Sequence, residues 1–353
     1  DGTDWTTSPA TLATGRSGCG GAGSSPAFVL FGGSIPATTA ITEEFNISTN
    51  VITAGTWAAG TVFPTSSSQV YGAGPQTAAL GIGGYPAGSP PTGKSFEYDG
   101  TAWSNEATLN PSTGTKGTSA AAGTQTACIN AQNTSPAPPF IYTAAGEYDG
   151  TSWTNATARP TDNYSNAACG TQTAGLFFGG ASSGTAHSNA TLEYNGASWT
   201  IQNVMATGRS ELGGSGTQTA ALGAGGYSNP PPTRYAITEE YNGASWTAVG
   251  ANLVETRGWQ LSGTTSDSLA MAGGTATLPM GTTACSRYDG TSWATSPSMA
   301  TGRLLAGAGS SAAAGDAWGS AGYYPGTSPN RTNTTEYFSV ETSAANIETL
   351  TTS

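Results

Sequence analysis

The chain has 353 residues, of which 9% are charged against a usual ~25%, and a net charge of −11. Ten Lys and Arg over that length cannot build the basic stripe that displaces counterions from nucleic acid, so none is expected as a partner. No apolar run reaches the ~18 residues needed to cross a bilayer, and 51 glycines among abundant Thr, Ser and Ala favour strands and tight turns over long helices.

The chain opens at Asp1 with neither a methionine nor a signal-like apolar stretch, which reads as a processed chain or a piece of a longer product. Residues 1–6 resemble the last strand of a repeating unit that lacks its third. From Trp57 the tryptophans of a recurring phrase, Trp103, Trp153, Trp199, Trp246 and Trp293, fall 46, 50, 46, 47 and 47 residues apart, the mark of a repeat array. We therefore expect one domain over residues 1–353.

Each unit divides into four strand-like segments. The first follows an Arg or Lys: Arg16, Lys116, Arg159, Arg209, Arg257 and Arg303 are read as one position in six of seven units. The second is apolar and ends in a glycine doublet, at 76–84, 172–180 and 218–226, with looser copies at 28–33 and 269–274. The third carries Glu before an aromatic (Glu44, Glu97, Glu147, Glu193, Glu240, Glu336), with Arg287 breaking the series. The fourth starts at the tryptophan, after an Asp-Gly or Asn-Gly that suits a hairpin turn. Four antiparallel strands per unit describe one propeller blade.

The doublets Gly32-Gly33, Gly83-Gly84, Gly179-Gly180, Gly225-Gly226 and Gly273-Gly274, each followed by an aromatic and then the tryptophan, resemble the kelch repeat. Two units depart from it, at 128–131 and 319–322. The resemblance implies an all-β, seven-bladed β-propeller with four-stranded antiparallel blades. We expect it to be closed by pairing of N- and C-terminal strands, with residues 1–6 completing the last blade beside 335–338. Within the tail 341–353, residues 346–350 are the alternative closing strand.

The chemistry points away from catalysis. Kelch-like propellers include galactose oxidase, whose copper site needs two histidines, and here His187, in a loop, is the sole one. Cys19, Cys128, Cys169 and Cys285 lack metal-ligand spacing, leaving open only a Cys128–Cys169 disulfide. No cofactor, metal site or catalytic residue is expected. The six repeated basic residues have two readings: a cationic ring round the channel mouth, or structural ties, of which we favour the second. Ligand-binding candidates are the residues that interrupt the repeat: Trp259, Trp318, and the rim-loop residues Tyr85, Tyr227, Tyr323, Tyr324, Arg234 and Arg331.

The Tyr-Asp-Gly-Thr-Ser-Trp strings resemble predicted propeller proteins of bacteriophage virions and marine bacteria. That resemblance implies a non-enzymatic, extracellular or virion-borne propeller within a larger assembly, recognising a host glycan or docking to another virion protein. The alternative is a secreted glycan-active enzyme with carboxylates from different blades, for which Glu255 and Asp316 break the acidic series.

Overall fold

The computed structural model describes residues 17–18, 20–24, 27–32, 34–35, 37–38, 42–53, 55–86, 93–109, 117–133, 143–182, 187–229, 231–253, 260–274, 281–304, 309, 314–323, 331–339 and 342–352. The chain divides into two compact units, residues 1–54 with 341–353, and residues 55–340.

Residues 55–340 form a six-bladed β-propeller. Blades one to five each have four antiparallel strands, and their inner strands are Ser67–Ala73, Gly117–Gly123, Ala167–Thr171, Gly213–Gly216 and Gln260–Gly263. Blade six contains Trp318–Ser320 and Thr335–Ser339, and its outer strand is Thr56–Gly60 from the other end of the unit. Leu304 bridges Tyr323 beside these three strands.

The ring therefore has six blades and not the seven expected, because the first repeat contributes only its fourth strand. The rest of that repeat builds its own sheet in the other unit, ordered Gly20–Ser24, Ala27–Phe31, Thr42–Thr53, Thr342–Thr352. Residues 1–6 lie outside the described residues, and the place expected for them is held by Thr56–Gly60, with Phe338 opposite Trp57. Packing explains the choice of closing strand. The Trp57 ring lies 5.2 Å from Phe338, and its Nε1 donates to Pro297 O of blade five at 2.9 Å. The alternative closing segment, 346–350, pairs instead within Thr42–Thr53.

The recurring phrase explains itself at each third-to-fourth turn. Tyr98 pairs with Trp103 across a four-residue loop in which Gly100 takes φ 92°. Asp99 Oδ1 accepts the Thr101 and Ala102 N–H groups at 2.8 Å each. Asp149, Asn195, Asn242 and Asp289 repeat this turn, in which only the glycine has a positive φ.

Three further features tie neighbouring blades. The tyrosine hydroxyl of one blade donates to the recurring glutamate of the previous one: Tyr148 to Glu97, Tyr194 to Glu147, Tyr241 to Glu193 and Tyr288 to Glu240, at 2.8–3.0 Å. Where Arg287 replaces that glutamate, the next blade carries Phe338, which has no hydroxyl to satisfy. The glutamine of each Thr-Gln-Thr turn donates to two carbonyls of the previous blade, as Gln172 does to Cys128 O and Tyr148 O. Between blades sits one buried plug residue, whose N–H donates to a carbonyl one or two residues ahead of a third strand: Phe63, Leu109, Met205, Leu253 and Met299 are each 0–5% exposed.

Candidate functional site

Of the six repeated basic residues, read as structural ties, Arg159, Arg209 and Arg303 are described, and all three are buried. Arg209 is fully buried, and its guanidinium donates to Gly225 O and Gly223 O of its own second strand. It ion-pairs with Glu239, which also accepts the Ala206 N–H at 2.8 Å. Arg303 repeats the arrangement with Ala321 O, Gly319 O and Glu336. The second-strand doublet makes this possible. Its first residue takes a left-handed φ in Gly225 (69°) and even in Ala321 (57°), turning the carbonyl toward the guanidinium.

Arg159 does not share their position. Asn163 occupies the place of Arg209 and donates to Gly179 O at 3.1 Å. Arg159 sits four residues earlier, on the plug position, 2% exposed, with its N–H donating to Thr143 O. Only its Nη2 has a partner, Asn163 O at 3.0 Å, while Nε and Nη1 are buried without one. Burial holds its pKa down at about 10 against the pull of Asp162. The set of six equivalent basic residues thus loses Arg159, and Arg16, Lys116 and Arg257 lie outside the described residues.

Trp318 is likewise interior: fully buried, it packs edge-on to Trp103 at 5.5 Å and donates to Gly74 O across the closing seam. Trp259 and Tyr324 lie outside the described residues, as does Glu255. The other candidates lie on one rim, where the inner strands begin. Tyr227 pairs with Arg234 in a short hairpin, Tyr323 bridges Arg331, and Ala181 bridges His187. Each far-end residue reaches toward the next blade. The His187 ring meets Tyr227 edge-on at 5.6 Å, and Arg331 Nε donates to Ser68 Oγ at 3.1 Å. Arg234 lies over Tyr227 at 5.3 Å and against Gly274. Tyr85, opposite Ser68, belongs to the same rim.

Two cavities meet at this rim. Between the inner strands lies a small cavity of about 30 Å³, lined by Tyr71, Ala121, Ala167, Leu212 and Gln260 among others. Beside it, between the hairpins of blades three and four, opens a cleft of about 200 Å³ lined by Tyr164, His187, Glu211, Tyr227 and Asn229. Ser165 and Glu211 border both. Each precedes an inner strand in a left-handed conformation, φ 52° and 55°, and Gln69, inside the inner strand of blade one, takes φ 54°. For residues with a Cβ this is strained backbone, held by the packing around it.

Glu211 faces Arg234 at 3.6 Å. Burial pushes its pKa up while Arg234 opposes, and burial pulls His187 below the usual imidazole value. The Tyr71 hydroxyl, at the channel end, is pushed above its ordinary range by burial and then by Glu211. The cleft thus offers hydroxyls, an amide, a half-buried imidazole and one carboxylate beside two aromatic rings, a set suited to holding a polar ring. Glu211, His187, Tyr164 and Asn229 were not singled out as ligands from sequence. The available signal was an acid two residues after Arg209, where blade three has Ser165.

Cys128 and Cys169 are free and buried, so the Cys128–Cys169 disulfide does not form. Among the described residues no helix is long and apolar enough to cross a membrane. Neither a protein-family model nor a curated protein matches the chain.

Proposed function

We propose that this is a kelch-like, non-enzymatic binding propeller, displayed on a virion or cell surface, that holds a host glycan at its rim. The observation that carries the reading is the cleft between blades three and four. It is open to solvent, walled by Tyr164 and Tyr227, and edged by groups that orient a ligand without a reactive constellation among them. The glycine doublets and the Arg ties to their carbonyls support the kelch likeness. Virion display rests on the repeat phrase and on a rim free for recognition while the blade interiors are committed to packing.

Hydrolysis of a glycosidic bond would draw on two facing carboxylates. Among the described residues lining the cleft, Glu211 is the one carboxylate, and it faces Arg234. The test is a glycan array run alongside binding to host cells and to virion proteins. Saturable glycan binding without release of reducing ends is expected. Blank results on every arm, or release of reducing ends, would overturn the proposal.

A further inference from the structure

The cleft also says what kind of sugar it suits. Resting on the glycan-binding reading above, we infer that it takes one neutral hexose residue and rejects a hexuronate. Its volume of about 200 Å³ corresponds to roughly six or seven waters, enough for one pyranose ring.

The cleft's formal charge is negative. Neither Lys nor Arg is among its described lining residues. The nearest guanidinium, on Arg234, is 14% exposed and is engaged by Glu211 on one side and the Tyr227 ring on the other. Arg209 is spoken for by Glu239 inside the blade. His187 adds no cation at neutral pH, since burial lowers its pKa.

What Glu211 can do is accept. A carboxylate takes hydrogen bonds from two neighbouring sugar hydroxyls, and Asn229 supplies donor and acceptor beside it. The Glu211 N–H donates to Ser165 O at 3.0 Å, which ties the two blades together along this wall of the cleft. A hexuronate would bring a second carboxylate against the first in a partly dry cleft, with no cation among the described lining residues to answer it.

The experiment is titration calorimetry of the whole chain at about pH 8, where a hexuronate is ionised. The probes are gluco-, galacto- and manno-oligosaccharides and the matching oligouronates. At least one neutral series should bind about tenfold or more tighter than its uronate, and Glu211→Gln should shrink that ratio at least about threefold. Uronate binding as tight as the neutral sugar, or an unchanged ratio in Glu211→Gln, overturns the inference while leaving glycan binding standing. Tyr227→Ala and Asn229→Ala should each weaken neutral binding. Affinity unmoved in both, in variants with wild-type circular dichroism, places the site elsewhere and also overturns it. No binding by any sugar removes both this inference and the reading beneath it.

Discussion

Blades three and four have the same strand order, yet they solve one internal problem in opposite ways. In blade four an apolar plug, Met205, precedes an arginine, Arg209, that is buried with Glu239 as its partner. At the matching places of blade three stand Arg159, Asn163 and Leu192, so a guanidinium lies where its counterpart is a methionine, and the Glu239 place holds no acid, leaving Asp162 as the charge that acts on Arg159. A repeat can thus keep its backbone while exchanging which residue carries the buried charge. The candidate cleft opens at the seam between these two blades.

The comparison breaks most sharply at Arg209. Arg209→Met leaves Glu239 buried and without its cation, a change that costs about 3–5 kcal/mol. Urea unfolding of the wild type and the variant measures it, and a loss under about 1 kcal/mol would contradict the role assigned to the pair. Adding Glu239→Leu should recover most of the loss, since blade three manages with Leu192 at that place. The same substitution at Arg159 is expected to have the opposite sign. Two of its guanidinium nitrogens lack partners, each a cost of about 1–3 kcal/mol, and a methionine there matches Met205 and Met299. Arg159→Met should therefore raise the unfolding midpoint. A fall instead would mean that the guanidinium is satisfied in solution.

How much of this was legible in sequence follows the same division. The period and the hairpin phrase are local signals repeated many times, so the strand pattern and the propeller class could be read directly. The blade count could not, because Thr56–Gly60 and residues 1–6 both look like a closing strand, and edge pairing is settled by contacts such as Trp57 on Phe338. Arg159 was misplaced by its identity: the Met-x-x-x-Arg spacing of 205–209 and 299–303 puts it on the methionine. The cleft was harder. Nothing in a sequence announces that Glu211 or Ser165 takes a left-handed φ, since neither is glycine, and that conformation sets where Glu211 stands between channel and cleft.

A smaller effect is expected at the links between blades. Tyr241→Phe removes the hydroxyl that donates to Glu193 at 3.0 Å, while Glu193 keeps its bond from Gln202 at 2.8 Å. The loss should be about 1.5 kcal/mol by urea unfolding, the low end for a bond to a charged group. Phe338 shows that a blade accepts phenylalanine at this place when the facing residue is Arg287. Tyr194 and Tyr288, whose hydroxyls are pushed up to about 12 by burial and by the carboxylates they face, should behave alike. A change under about 0.5 kcal/mol in all three would reduce the lattice to geometry without energetic weight.

The smallest effect carries its own control. Asp99 is held down to about 2 by the Thr101 hydroxyl and the backbone N–H groups of the turn, and Asp149 and Asp289 are lowered by their turn N–H groups. A carboxylate whose pKa is depressed by folding stabilises the fold above its unfolded pKa of about 4, and that contribution is lost as pH falls toward about 2. Blades three and four make the same turn with Asn195 and Asn242, which do not titrate. Acidification from about pH 5 to 2 should therefore lower hydrogen-exchange protection at Thr101, Thr151 and Thr291, and spare Ala197 and Ala244. Asp99→Asn should transfer blade one to the insensitive group. Equal loss of protection in all five turns would mean that acid acts on the propeller as a whole and that the depressed carboxylates are not what links these turns to pH.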